Sequence, residues 1–181
     1  MRKLAAIVAS VVAVGSGLAC NPSATAPGDL IPPGTHQSLL AAVTGSGRGG
    51  VSVTPTAIPQ RTMMVGINVL VVDARPNTTY IVQRAADVNR LPGADGICQR
   101  ALSLPPWSPN DPPAPTFSTF PLGTGSATFT TAASGTGSLS FEYQSEMIAA
   151  GTTFDVMFRV VDSETAPTTE LRSGCFMVTV K

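Results

Sequence analysis

Apolar residues in this chain come in short runs that alternate with polar ones, and turn-forming residues end each run. Thr62–Val72 (TMMVGINVLVV) places Met63, Val65, Ile67, Val69 and Val71 on one face of an extended strand, because successive side chains of a strand point to opposite sides. Leu70 and Val72 make its end apolar on both faces, as in a strand inside a sheet. Over 79–84 the same spacing joins Tyr80 and Val82. Ala127, Phe129 and Thr131 line up, and after a Gly-rich turn so do Leu139, Phe141 and Tyr143. Thr153–Val161 sets Phe154, Val156, Phe158 and Val160 inward against Asp155, Met157 and Arg159. Over 173–181, Phe176, Val178 and Val180 share one face and Cys175 takes the other. Weaker runs fall at 39–44 and 51–53, and 145–150 offers one helical turn at most. With 17 glycines and 16 prolines, long helices are disfavoured. The expectation is an all-β fold: an antiparallel β-sandwich of about seven to nine strands spanning 38–181, with a small β-barrel as the alternative.

The N-terminus has a different character. Met1-Arg2-Lys3 is basic, and residues 4–19 are uncharged and apolar or small. That run is shorter than the roughly 20 residues of a membrane-spanning helix, so it reads as an export signal with a cleavage point. Residues 1–19 are then signal peptide. Residues 20–37, rich in Pro, Ala and Ser, form a flexible tether.

Gly17-Leu18-Ala19-Cys20 resembles the cleavage region of bacterial lipoprotein signals. The resemblance covers residues 1–20, and Gly17 and Leu18 depart from the family's usual residues. It implies that Cys20 carries acyl chains and anchors the chain in a membrane. Asn21 in place of Asp points to the outer membrane if the host has one. Ordinary secretion with Cys20 as the mature N-terminus is the alternative. If Cys20 is lipidated, Cys98 and Cys175 remain as a pair for one disulfide, which an exported compartment permits; two unpaired buried thiols are the other possibility.

A second resemblance is local. Ala74-Arg75-Pro76-Asn77-Thr78-Thr79-Tyr80 is similar to the tyrosine corner of fibronectin type III and immunoglobulin-like domains, with Pro76, Thr78 and Tyr80 matching. It implies an immunoglobulin-like sandwich in which the Tyr80 hydroxyl bonds back to the loop backbone. An ordinary Pro-Asn turn before a strand reads the same residues.

Charged residues make up 12% and the net charge is zero, which speaks against nucleic acid as a partner. Gly45-Ser46-Gly47-Arg48-Gly49-Gly50 spells G-x-G-x-x-G, but a strand-like segment and Pro55 follow it instead of a helix, so it reads as a hairpin loop. The single histidine, His36, lies in the expected tether, which leaves no folded-domain base for a Ser or Cys nucleophile. Asp87, Asn89 and Asp95 are a thin set of candidate calcium ligands, with a solvated turn as the plainer reading. Carboxylates for a hydrolase, among them Asp155, Asp162, Glu164 and Glu170, are expected on loops and outward faces. Residues 104–115 hold six prolines and Trp107, the only tryptophan. On a stiff loop that ring can anchor a partner or fold back over the core. These observations favour a non-enzymatic envelope protein, without cofactor, that binds a protein or glycan. The alternatives are a structural envelope or assembly subunit, and a carboxylate-dependent exported hydrolase. The oligomeric state is not legible.

Overall fold

A computed structural model describes residues 34–58, 62–88, 93–102, 117–145 and 148–181. The signal segment, Cys20, the tether up to residue 33, Asn89 and Trp107 lie outside the described residues. Residues 32–181 form their own compact unit.

Among the described residues twelve strands run in chain order: β1 (His36–Thr44), β2 (Arg48–Ile58), β3 (Thr62–Val72), β4 (Thr79–Asp87), β5 (Ser118–Thr119), β6 (Pro121–Leu122), β7 (Gly125–Ser126), β8 (Thr128–Thr130), β9 (Gly137–Ser145), β10 (Thr153–Val161), β11 (Glu170–Ser173) and β12 (Phe176–Thr179). A short helix, α1 (Gln99–Leu102), follows β4. The expected all-β antiparallel architecture forms. The main sheet has ten strands, in the order β5-β4-β10-β11-β1-β2-β3-β9, with β12 also on β10 and β8 also on β4. It curls into a half-barrel, so the architecture combines features of both expected forms.

Local meander and long-range pairing divide the work. β1, β2 and β3 are joined by short connections and pair in sequence. β4 and β10, far apart in the chain, pair from Asp87–Asp155 to Ile81–Val161. β10's other edge is shared: β11 takes Arg159–Val161 and β12 takes Thr153–Val156. At the changeover, Ser173 Oγ accepts the Phe158 N–H at 2.8 Å, and Ser38 Oγ accepts the Gly174 N–H at 3.1 Å. Two hydroxyls thus satisfy backbone donors where the ladder is interrupted.

The inward face matches the alternation in the sequence. Met63, Val65, Ile67, Val69 and Val71 are all buried, as are Phe154, Val156, Phe158 and Val160. Leu70, on the other face of β3, is half exposed. Phe120 centres the aromatic packing, with ring centroids 5.1 Å from Phe141, 5.2 Å from Tyr143 and 5.8 Å from Phe158. Tyr80 is fully buried, and its hydroxyl oxygen accepts the Arg75 N–H at 3.3 Å.

Two expectations change and one holds. The G-x-G-x-x-G segment is the expected hairpin: Gly45, Ser46 and Gly47 connect β1 to β2, which begins at Arg48. Gly49 is required there: a Cβ on it would lie 1.9 Å from the Leu70 carbonyl oxygen across the β2–β3 ladder. His36 belongs to β1, opposite Val53, and not to a tether. The outer face of β4 and β10 is not a solvated surface. Asp87, Asp155 and Met157 are buried there, because the segment 93–102 lies over it. Ala85, Cys98, Ala101 and Met157 form a second small core, with Phe117 and Cys175 packed against it.

Candidate functional site

The two walls of the half-barrel leave an interior cavity of about 430 Å³. It lies towards the end where β4 and β9 finish and β3 and β10 begin. Apolar side chains dominate its lining, among them Val65, Ile67, Ala86, Phe120, Phe158 and Val178. The volume falls within the range of about 300–1,000 Å³ typical of small-molecule sites. Arg84 and Arg100 are the charged side chains among the described lining residues, and both are cationic.

Arg84 reaches the interior through the period of its strand. Tyr80, Val82, Arg84 and Ala86 share one side of β4, so the side that builds the core carries one guanidinium. Its Nη1 donates to the carbonyl oxygens of Ser118, at 3.1 Å, and Thr119, at 2.8 Å. Its Nη2 donates to the Tyr143 hydroxyl at 3.2 Å. The guanidinium carbon stands 4.3 Å from the Phe120 ring centroid and 4.9 Å from that of Tyr143, a cation–π arrangement that partly replaces lost hydration. Burial lowers the Arg84 pKa from its usual value, opposed by the nearby Tyr143. Arginine titrates so high that the group keeps its charge. Among the described residues no carboxylate pairs with it. Nε–H and one Nη2–H also have no acceptor there.

The residues singled out in the sequence lie elsewhere. Asp87 occupies the opposite side of β4 from Arg84. Its carboxylate accepts the N–H groups of Gln99, at 2.7 Å, and Arg100, at 3.4 Å. Asp95 accepts the Ile97 N–H within its own turn. Asp155 accepts the N–H groups of Asp95, at 2.8 Å, and Gly96, at 3.1 Å. Two of the expected surface carboxylates are therefore buried fasteners for the segment 93–102. Glu170, also expected on the surface, is buried between Arg159, at 3.3 Å, and Arg172, whose guanidinium carbons each stand 5.2 Å from the Phe117 ring centroid. Among the described residues no three His, Cys, Asp or Glu side chains gather as a metal site would need. Cys98, within the covering segment, and Cys175, between β11 and β12, form a disulfide with Cα atoms 5.6 Å apart. It is compatible with an exported protein.

Sequence reasoning missed Arg84 as a site residue, although the signal was present. Extending the Tyr80–Val82 alternation by one step puts an arginine on the core face. No protein-family model, curated protein or solved structure matches this chain.

Proposed function

We propose that this chain is an exported, lipid-anchored, non-enzymatic binding protein that holds an apolar small molecule inside its half-barrel. The observation that carries the reading is the apolar cavity of about 430 Å³ between the two walls of the sheet. Burying an apolar guest there removes its surface from water at about 25 cal/mol per Å², and a preformed site spares much of the ordering cost of binding. The export signal and the lipidation expected at Cys20 support a location at a membrane surface, where apolar molecules are concentrated. The disulfide is consistent with that compartment. The protein or glycan partner expected at Trp107 concerns residues outside the described part of the chain.

The test uses the chain from residue 20 carrying Cys20→Ser, which keeps it in solution without detergent. Titration with the neutral fluorescent probe N-phenyl-1-naphthylamine should give saturable enhancement. Ala86→Phe, which projects a ring into the cavity, should abolish the enhancement without lowering the melting temperature. A folded wild-type chain that gives no enhancement contradicts the reading.

A further inference from the structure

The interior of the half-barrel is apolar apart from a few polar groups, and Arg84 is placed among them at a cost. A guanidinium taken out of water loses solvation that it must recover from neighbours. Two carbonyl oxygens, one tyrosine hydroxyl and two aromatic faces recover part of it. None of these is a carboxylate. Packing alone would be served by a neutral side chain at this position. A partly buried cation with an open donor edge instead raises the affinity for an anion, because a charge pair in a partly dehydrated site interacts more strongly than in water.

The geometry narrows the anion. Nη1 is occupied by the Ser118 and Thr119 carbonyls and Nη2 partly by Tyr143, while Nε–H and one Nη2–H lack an acceptor among the described residues. Those two nitrogens share one edge of the guanidinium, and a planar carboxylate meets such an edge with two parallel hydrogen bonds. Arg100 also lines the cavity, and Ser118, Tyr143 and Ser145 add polar groups, while Val53, Met63, Val65, Phe154, Val156 and Val178 make an apolar stretch of the wall. The site thus offers cationic side chains, of which Arg84 presents a donor edge without an acceptor among the described residues, and an apolar stretch beside them.

We infer that the ligand is a single-chain amphiphile with a carboxylate head, bound with the head on the Nε–Nη2 edge of Arg84 and the hydrocarbon chain in the cavity. This rests on the reading of the cavity as a binding site. Tyr143 acts as the positioning residue: its hydroxyl and ring fix the guanidinium plane, and removing the hydroxyl frees the fork to turn.

The experiment is displacement of bound N-phenyl-1-naphthylamine from the Cys20→Ser chain by dodecanoate and by dodecanol, two guests of equal chain length. A charge-assisted bidentate contact should make dodecanoate at least about tenfold more effective at neutral pH. The advantage should fade as pH falls through the carboxylate range, at roughly pH 4–5, where the head becomes neutral. In Arg84→Met the advantage should vanish while the probe still binds. If that variant does not fold, the comparison of the two guests and its pH dependence in the wild type still decide the matter. Equal displacement by acid and alcohol in the wild type overturns the carboxylate assignment and leaves the cavity reading standing. Failure of the probe to bind the folded wild type overturns the cavity reading itself.

Discussion

Asp87 and Asp155 stand directly opposite each other across the β4–β10 ladder, both buried, and each carboxylate accepts two backbone N–H groups from the same covering segment. Like charges directly across a ladder repel, so the pair is tolerable because donors converge on both. Asp155→Ala should lower unfolding free energy by about 1–3 kcal/mol or more, since buried N–H groups lose a charged acceptor. Urea unfolding measures the loss, and new proteolytic cleavage within 93–102 would locate it. The double variant with Asp87→Ala should lose less than the sum of the singles, as one shared segment is released either way. Strict additivity would contradict the shared role.

The disulfide fastens the same segment covalently, tying Cys98 to Cys175 between β11 and β12. Cys98 and Cys175 are 77 residues apart, and closing a loop of that length constrains the unfolded chain by roughly 4–5 kcal/mol in the chain-entropy model. Replacing both by alanine should cost about 2–5 kcal/mol, read as a lowered melting temperature. Reductant should destabilise the wild type and leave the double variant unchanged.

Stability should fall with acid in two steps. Burial and the nearby Lys181 hold the His36 pKa below its ordinary 6.5. As pH drops through 6.5 the unfolded state binds a proton that the folded state refuses, so stability is full above that value and declines below it until the folded group also titrates. Burial alone would raise the Asp162 carboxyl, but hydrogen bonds from the Thr168 hydroxyl and the backbone of Thr169 and Thr168 outweigh it and hold it below 3.8. Its contribution is present above about pH 4 and lost as pH falls through the folded value. Urea midpoints between pH 8 and 3 check both, with His36→Gln removing the first step and Asp162→Asn reducing the second.

The anchor has its own measurement, the denatured, non-reduced mass of the mature protein from its native host. The expected mass begins at Cys20, carries acyl chains, and is two hydrogens lighter for the bridge. An unlipidated chain beginning at Cys20 would make the protein freely secreted.

Legibility in the sequence followed how local the cause was. Period-two alternation marked β3, β9, β10 and their inward residues, because a strand's facing is written in its own side chains. The curl of the sheet was not marked. It depends on β4 meeting β10 and β1 meeting β11, pairings between segments distant in the chain. Asp155 illustrates the limit. Its outward facing was readable, but its burial comes from 93–102 folding over it, and nothing near residue 155 announces that cover. His36 was misplaced because the Pro-rich composition runs up to the strand, whose start is fixed by pairing with β2. Arg84 was readable in direction and missed in meaning: its alternation pointed inward, while the space beside it exists only once both walls are assembled.

A guest held in the half-barrel should be visible in a native mass spectrum of the Cys20→Ser chain isolated from cells without detergent, beside the Ala86→Phe variant. A noncovalent adduct of one guest per chain is expected on the first, lost on denaturation, and a bare chain for the second. Bare chains in both, from protein that melts cooperatively, would contradict a guest-binding role.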